Sequence, residues 1–277
     1  MGCTSSSQFG NLEPDVYVYA RNGDVDKLRK ALQDEKQKPG LDYLDSDGLT
    51  ALAVAASAGH HECLKVLLSV SGINLNRKST RLGGQTPGKT PTKTNDELRT
   101  PTKTSIHMDR YSTPRGFNLF SPSKNNFRSP SEKSVFSERG GGLVYANDEM
   151  LEASTAVSLA AVEGYTECVK LLLAAGAEVR TYAGGITLIM VAFHGYKDCL
   201  NLLIEAGVNV NAQGGTGNTA LMASAYGGHE DCVVSLLNAG ADINHRNMEK
   251  KSAADIASEE GHVAIADLIN SYIDTKA

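Results

Sequence analysis

The sequence predicts an all-α solenoid of stacked helix-turn-helix repeats, interrupted by one long insert. A glycine-led signature recurs along the chain, for example as GYTECVKLLL and GYKDCLNLLI. The aligned glycines Gly164, Gly195, Gly228 and Gly261 are 31, 33 and 33 residues apart, whereas the step from Gly59 to Gly164 is 105 residues. A period in this range is typical of one supersecondary unit stacked on itself. Neighbouring units bury the apolar face that one unit cannot bury alone, so the array grows as a solenoid.

The two helices of each unit carry recurring openings and endings. The first helices open with TALAVA from Thr50, TAVSLA from Thr155, ITLIMVA from Ile186, TALMAS from Thr219 and SAADIA from Ser252. The second helices are followed by SGINLN, AGAEVR, AGVNVN and AGADINHRN. These motifs resemble ankyrin repeats, whose first helix opens with T-P-L-H-x-A. A more charged copy from Asp15 fits a terminal capping repeat, so we expect six repeats over about 200 of the 277 residues.

The chain departs from the ankyrin pattern at two positions of the first helix. Ala or Thr replaces the motif proline throughout, and the motif histidine is replaced by Ala53, Ser158, Ile189, Met222 or Asp255. Those family positions contribute hydrogen bonds to stability. We therefore expect a less stable array than an idealised one, with the same fold.

The resemblance also implies a function in binding. Ankyrin repeats present a concave face, made of hairpin tips and first helices, to a protein partner whose identity the sequence does not give. The sequence offers no G-x-S-x-G nucleophile elbow, so we expect a scaffold and not an enzyme, with no cofactor. We also expect no nucleic-acid partner.

Charge is distributed unevenly along the chain. The net charge is −5, yet Arg77 to Gly140 holds 13 basic and 5 acidic residues, a net of +8, which leaves −13 for the remainder. Such asymmetry indicates two functions, or two parts that attract each other. No apolar stretch reaches the ~18 residues of a membrane-spanning helix. Without a secretory signal or an N-x-[ST] sequon, the chain is expected to be cytoplasmic.

Four of the five cysteines share one position, four residues after the repeat glycine: Cys63, Cys168, Cys199 and Cys232. We expect them to be small buried hydrophobic residues in the core. A disulfide ladder is not expected, because stacked helices lie ~8–10 Å apart, beyond the ~7 Å Cα limit. No metal site is expected either, since His60, His61 and Cys63 lack a fourth ligand.

The chain begins with a lipidation pattern. The residues MGCTSS satisfy M-G-x-x-x-[ST], which predicts N-myristoylation of Gly2. The adjacent Cys3 is a predicted S-palmitoylation site. A single myristoyl chain binds membranes only marginally, so stable anchoring requires this second signal. The sequence thus predicts an acylated tail (residues 1–12) and a location at the cytoplasmic face of a membrane.

The insert predicts regulation by phosphorylation. Residues 77–145 are rich in Ser, Thr, Pro, Lys and Gly, show no helical or strand period, and are expected to be disordered. They separate repeats 1–2 (13–76) from repeats 3–6 (146–277). Six of the eight prolines lie here, and each follows a Ser or Thr. Four of these pairs extend to [ST]-P-x-K, the pattern of proline-directed kinases. The predicted sites are Thr86, Thr90, Thr100, Thr113, Ser121 and Ser129.

Two further interpretations of the insert stay open. Residues 83–90, GGQTPGKT, satisfy the phosphate-binding loop pattern G-x-x-x-x-G-K-[ST]. That loop requires a preceding buried strand and a following helix, and the flanking residues predict neither. Alternatively, the basic insert binds an acidic polymer such as the microtubule surface, which would make the chain a cytoskeletal or basal-body scaffold. The motif FNLF at Phe117 is a candidate docking segment, for a partner or for the solenoid itself.

Overall fold

The computed structural model describes residues 14–33, 41–45, 48–78 and 155–276. Within these ranges it confirms the predicted all-α solenoid, with twelve helices in six consecutive pairs and no strand. In chain order the helices are α1 (Asp15–Asn22), α2 (Val25–Gln33), α3 (Ala51–Ser57), α4 (His61–Leu68), α5 (Ala156–Val162), α6 (Thr166–Ala174), α7 (Tyr182–His194), α8 (Lys197–Glu205), α9 (Ala220–Gly227), α10 (Glu230–Asn238), α11 (Ala253–Glu259) and α12 (Val263–Lys276). The predicted insert lies outside the described residues, apart from Arg77 and Lys78.

The helices form two layers. The first helices of the pairs pack against one another in chain order, from α1 through α3, α5, α7 and α9 to α11. The second helices, from α2 to α12, form a parallel layer in the same order. Contact of α3 with α5 and of α4 with α6 means that repeats 2 and 3 stack directly, although the insert separates them in the sequence.

Hydroxyl side chains set the start of four first helices. Thr50, Thr155, Thr219 and Ser252 each accept a hydrogen bond from the backbone N–H three residues later, at 3.2–3.4 Å. Such an N-cap contributes about 1 kcal/mol. Ser158 and Asp255, which replace the motif histidine, complete a capping box by accepting from the N-cap backbone at 2.8 and 2.9 Å. In these two repeats the departure from the family pattern therefore keeps a hydrogen bond.

The turn between the two helices of a pair is closed by one backbone pattern. The residue after the repeat glycine donates its N–H to a carbonyl five residues earlier, as Tyr165 does to Ala160 at 2.9 Å. Gly164 itself has φ of +78°. This is the Schellman arrangement, which satisfies carbonyls at the end of a helix and favours glycine because glycine has no Cβ.

The same glycines make room for a ring of the following repeat. A Cβ atom at the repeat glycine would lie only 2.5–3.1 Å from a ring atom of the next unit. The rings belong to His60, Tyr165, Tyr196, His229 and His262. Two of them also contact a carbonyl of the preceding repeat, with His60 Nε2 3.1 Å from Arg21 O and His229 Nε2 2.9 Å from Phe193 O. Each ring thus ties one repeat to the one before it.

Helix α7 departs from the pattern, because it begins one turn early. Ile186 occupies the place of the capping hydroxyl residues, and Thr181 caps the helix instead, accepting from Gly184 N at 3.2 Å. A Cβ on Gly184 would lie 1.9 Å from a carbonyl oxygen of the preceding loop, and one on Gly185 2.4 Å from Ala212 Cβ. The glycine pair therefore allows a helical turn to replace the hairpin that precedes α3, α9 and α11.

The shared cysteine position lies in the core, as predicted. The four cysteines are 0–1% exposed, carry free thiols and lie in second helices. Burial raises the pKa of each thiol, to about 11 for Cys168 and Cys232. These thiols are therefore protonated and unreactive near neutral pH.

Candidate binding surfaces

The accessible side chains of the array lie at the two ends of its helix pairs and on the outer faces of its second helices. Every residue of the first helix α3 is buried, and so is every residue of α9 except the last, Gly227. On the predicted concave face, the hairpins therefore offer more accessible side chains than α3 and α9 do. The opposite end, where each first helix passes into its second helix, is the other accessible edge.

At the hairpin end, the loops before α9 and α11 form a joined pair, which we call the paired fingers (residues 213–218 and 246–251). Met248 N donates to Thr216 O at 3.1 Å, and Asn247 Nδ2 donates to Asn218 Oδ1 at 2.8 Å. His245 Nε2 adds a contact of 2.8 Å to a carbonyl of the first finger. Met248 is 61% exposed at the tip. The paired fingers therefore present an apolar side chain on a braced backbone.

No finger precedes α7, so a recess lies beside the paired fingers. It has a volume of about 440 Å³ and is lined by polar residues that include Arg180, Thr181, Asn209, Asn211 and Gln213. Asn211 Oδ1 accepts from Asp242 N at 2.8 Å, which bridges consecutive repeats. Arg180 takes the equivalent place one repeat earlier, with Nε donating to the carbonyl of Ala206 at 3.1 Å.

The same bridge crosses the site of the insert. Asn76 Oδ1 accepts from Glu178 N at 2.8 Å, joining residues 102 positions apart in the sequence. The asparagine bridge therefore continues from repeat 2 to repeat 3 as it does from repeat 4 to repeat 5. The insert therefore does not interrupt this hydrogen bond between repeats 2 and 3.

At the opposite end lies a surface that we call the turn edge (residues 162–167, 193–198, 226–231 and 259–263). Its centre is aromatic. The Phe193 ring stacks on Tyr226 with centroids 5.9 Å apart, and His194 stacks on Tyr196 at 5.6 Å. Burial lowers the pKa of His194, an effect that Glu163 opposes. Tyr196 is 36% exposed and Val263 is 61% exposed, so apolar surface reaches solvent here.

Carboxylates surround these rings. The turn edge contains Glu163, Glu167, Asp198, Glu230, Asp231, Glu259 and Glu260, and Lys197 is its one Lys or Arg side chain. Lys197 pairs with Asp231 at 3.2 Å. Among the described residues, Asp198, Glu230 and Glu260 form no ion pair. The turn edge is therefore an acidic surface with an apolar centre.

The residues predicted to be modified lie outside the described ranges. These are Gly2 and Cys3 in the tail, and Thr86, Thr90, Thr100, Thr113, Ser121 and Ser129 in the insert. The loop-like match at 83–90 and the FNLF motif also lie outside. Lipidation and phosphorylation therefore stay predictions, and nucleotide binding stays an untested alternative that the residues flanking 83–90 disfavour.

Within the described ranges, no three His, Cys, Asp or Glu side chains are grouped so that they could hold a metal ion. Asp45 accepts hydrogen bonds from Tyr17 Oη and, at 2.8 Å, from Leu49 N, and so stabilises the turn before α3. None of the described helices has the length and apolarity to cross a membrane.

The stacked helix pairs and their two accessible edges define a repeat scaffold of the protein-binding class. A family model of ankyrin repeats matches three segments, residues 16–92, 141–214 and 188–277, which together span most of the chain. The chain therefore belongs to the ankyrin-repeat family. A search of curated proteins found no match. Ankyrin repeats generally bind protein partners and are typically not enzymes, so the array is an interaction scaffold.

Two features escaped the sequence reasoning. One is the early start of α7, for which Ile186 in a capping position and the preceding Gly184–Gly185 pair were available signals. The other is the turn edge. Its aromatic residues fall at the same offsets from successive repeat glycines, a pattern that only becomes a surface once the repeats are stacked.

Proposed function

We propose that the protein is a membrane-tethered ankyrin adaptor, which holds a protein partner at the cytoplasmic face of a membrane under the control of phosphorylation. The observation that carries the proposal is the continuous array of six repeats, whose two halves stack across the insert. A rigid array of this kind offers an extended surface to a partner. The paired fingers, with Met248 exposed at their tip, are the proposed centre of the concave contact.

The tether would consist of acyl chains on Gly2 and Cys3. Myristate alone gives a binding constant of about 10⁴ M⁻¹, which is marginal, and a second chain makes anchoring stable. Residues 2–12 contain no Lys or Arg, so no local polybasic signal replaces the second chain. Both acylations are therefore needed for retention.

Membrane fractionation tests the tether. We expect Gly2→Ala to move the protein from the membrane fraction to the soluble fraction, and Cys3→Ser to weaken retention while myristate stays in place. Gly10→Ala, a change of the same type in the same tail, is the matched control and should leave the distribution unchanged. An unaltered distribution of Gly2→Ala would refute the tether.

The six Ser/Thr-Pro sites would control the charge of the insert. Each phosphate adds a charge of about −1.5 to −2 at neutral pH. Six phosphates therefore add roughly −9 to −12, which reverses the net charge of +8 on the insert. Basic residues close to an anionic leaflet contribute ~1 kcal/mol each. A proline-directed kinase would thus release the insert from the membrane.

Vesicle binding by the insert tests this control. Binding to anionic vesicles should fall with added salt. It should also fall with Glu at all six sites, which changes the net charge of the insert from +8 to +2. Ala at the same six sites is the control and should bind as the unmodified segment does. Equal binding of the enzymatically phosphorylated and unmodified segments would eliminate the electrostatic mechanism.

Affinity purification followed by mass spectrometry tests the partner. We expect proteins captured by the whole chain to be lost with Met248→Glu if the paired fingers make the contact. Val234→Glu, which changes an exposed apolar residue on a second helix, is the matched control.

The basic insert supports a second candidate function, a cytoskeletal scaffold. Its net charge of +8 suits an acidic polymer as well as an anionic membrane. Co-sedimentation of the isolated insert with microtubules, against binding to anionic vesicles, separates the two functions.

A further inference from the structure

The turn edge of repeats 4 to 6 combines two properties that suit a particular kind of ligand. Three of the four large hydrophobic side chains exposed in the described residues lie on it or within one helical turn of it, namely Tyr196, Val263 and Val234. The same segments contain seven carboxylates, of which Asp198, Glu230 and Glu260 form no ion pair among the described residues. A ligand for this surface should therefore carry both basic and large apolar side chains.

One segment of the chain has this composition. Residues 110–128, RYSTPRGFNLFSPSKNNFR, contain four basic and no acidic residues. They also contain three of the six phenylalanines of the chain: Phe117, Phe120 and Phe127. Arg and Lys side chains are attracted to aromatic faces as well as to carboxylates. The segment thus complements the turn edge in charge and in aromatic character.

We propose that residues 110–128 dock on the turn edge of repeats 4 to 6 of the same chain. The segment lies outside the described residues, and its connections are long enough. It is joined to Lys78 by 31 residues and to Thr155 by 26, each able to span more than about 80 Å when extended. Stacked helices lie ~8–10 Å apart, so three repeats extend for only ~30 Å.

Docking within one chain requires little intrinsic affinity. A tethered segment of this length meets its site at an effective concentration on the order of 1 mM. An intrinsic dissociation constant of about 0.1 mM would then keep the segment docked in roughly nine molecules of ten. Two of the predicted kinase sites, Thr113 and Ser121, lie within the segment, and phosphate there would be repelled by the carboxylates. Only this last step rests on the proposed function.

Limited trypsin digestion of the unmodified full-length protein tests the docking. Cleavage after Arg115 and Arg128, inside the segment, should be about tenfold slower than after Lys93 and Lys103, which lie in the same insert but outside it. The difference should disappear when salt is raised from ~0.05 M to ~0.5 M, because the charges are then screened. Neither vesicles nor kinase are present, so failure here is separate from failure of the membrane proposal.

Charge reversal identifies the surface. The triple variant Asp198→Lys, Glu230→Lys and Glu260→Lys should speed cleavage after Arg115 and Arg128 about tenfold and leave Lys93 unchanged. The matched control reverses three carboxylates away from the turn edge, Asp26, Glu178 and Glu205, and changes the net charge equally. It should leave protection intact. Circular dichroism confirms that both variants are folded.

Substitutions in the segment itself test the docking without changing the repeats. Replacing Phe117, Phe120 and Phe127 by Ser should abolish the protection. Equal cleavage rates at all sites in low salt would overturn the proposal, as would equal effects of the two charge reversals. Protection that increases with protein concentration would overturn it as well, because the occupant would then be the segment of a second copy.

Discussion

At the scale of single residues, the repeat glycines set the distance between neighbouring units. Gly195 has φ of +73°, and a Cβ there would lie 2.5 Å from His229 Nδ1. We expect Gly195→Ala to lower the free energy of unfolding by about 3 kcal/mol, from backbone strain plus displacement of the ring. Urea denaturation measures this loss.

Gly176 provides the matched comparison. Its φ is +90°, and no atom lies within 4 Å of a Cβ built on it. Gly176→Ala should therefore lose only the strain contribution, about 1 kcal/mol. If both variants lost the same amount, the ring contact would contribute nothing to the stacking of repeats.

His194 makes the stability of the folded protein depend on pH. Burial lowers the pKa of His194 in the folded protein below 6.5, with a smaller lowering by His229 and an opposing effect of Glu163. The unfolded chain therefore binds this proton more readily than the folded one. The stability associated with neutral His194 is fully present above the unfolded pKa and is lost as the pH falls from there through the lower folded pKa.

We expect His194→Phe to reduce the loss of unfolding free energy between about pH 7.5 and pH 5.5. Urea denaturation at both pH values measures it for the variant and the parent. An identical pH dependence of the two proteins would show that His194 does not titrate differently on folding.

At the scale of an element, α7 reverses a general rule about glycine. Alanine stabilises an ordinary helix over glycine by up to about 1 kcal/mol. In α7, a Cβ at position 185 would lie 2.4 Å from Ala212 Cβ. Gly185→Ala should therefore destabilise the protein, by about 1–3 kcal/mol for overpacking.

A double substitution checks the cause. Adding Ala212→Gly removes the atom that Gly185→Ala would meet, and should recover most of the lost unfolding free energy. The coupling energy from the four proteins measures this contact directly. If the losses of unfolding free energy from the two substitutions simply added, the destabilisation by Gly185→Ala would have another cause within α7.

At the scale of the whole molecule, the two groups of repeats should fold without the insert. The helices α3 and α5 pack together, and Asn76 bridges to Glu178. We expect a protein lacking residues 78–144 to keep its helical circular dichroism per molecule and its cooperative melting. Loss of cooperative melting would mean that the insert contributes to the folded structure.

The sequence predicted the architecture because repetition is a strong signal. Glycines at a fixed spacing, the recurring helix openings and one shared cysteine position predicted the helix pairs and the core. The ankyrin resemblance was confirmed by the family match. The sequence predicted a loss of hydrogen bonds where the motif histidine is replaced. This prediction was only partly correct, because Ser158 and Asp255 form capping boxes.

Surfaces were harder to predict than the core. The turn edge depends on which side chains of different repeats meet, as Phe193 meets Tyr226, and such contacts depend on stacking rather than on local pattern. The start of α7 at Tyr182, ahead of the predicted opening at Ile186, was not predicted for a different reason. Glycines normally argue against a helix start, and only the close approach of Val179 and Ala212 explains them.

The direct contact between repeats 2 and 3 has a mechanical consequence. Its two sides are joined by residues 79–154, and closing so long a connection costs about 2 kcal/mol more than closing a short one. The interfaces between the other repeats carry no comparable cost, because much shorter connections join them. A pulling force on repeat 1 would therefore separate repeats 1 and 2 from repeats 3 to 6 more readily than if a short connection joined them. The chain would stay continuous across the separated interface through residues 79–154, whose fully extended length is about 250 Å.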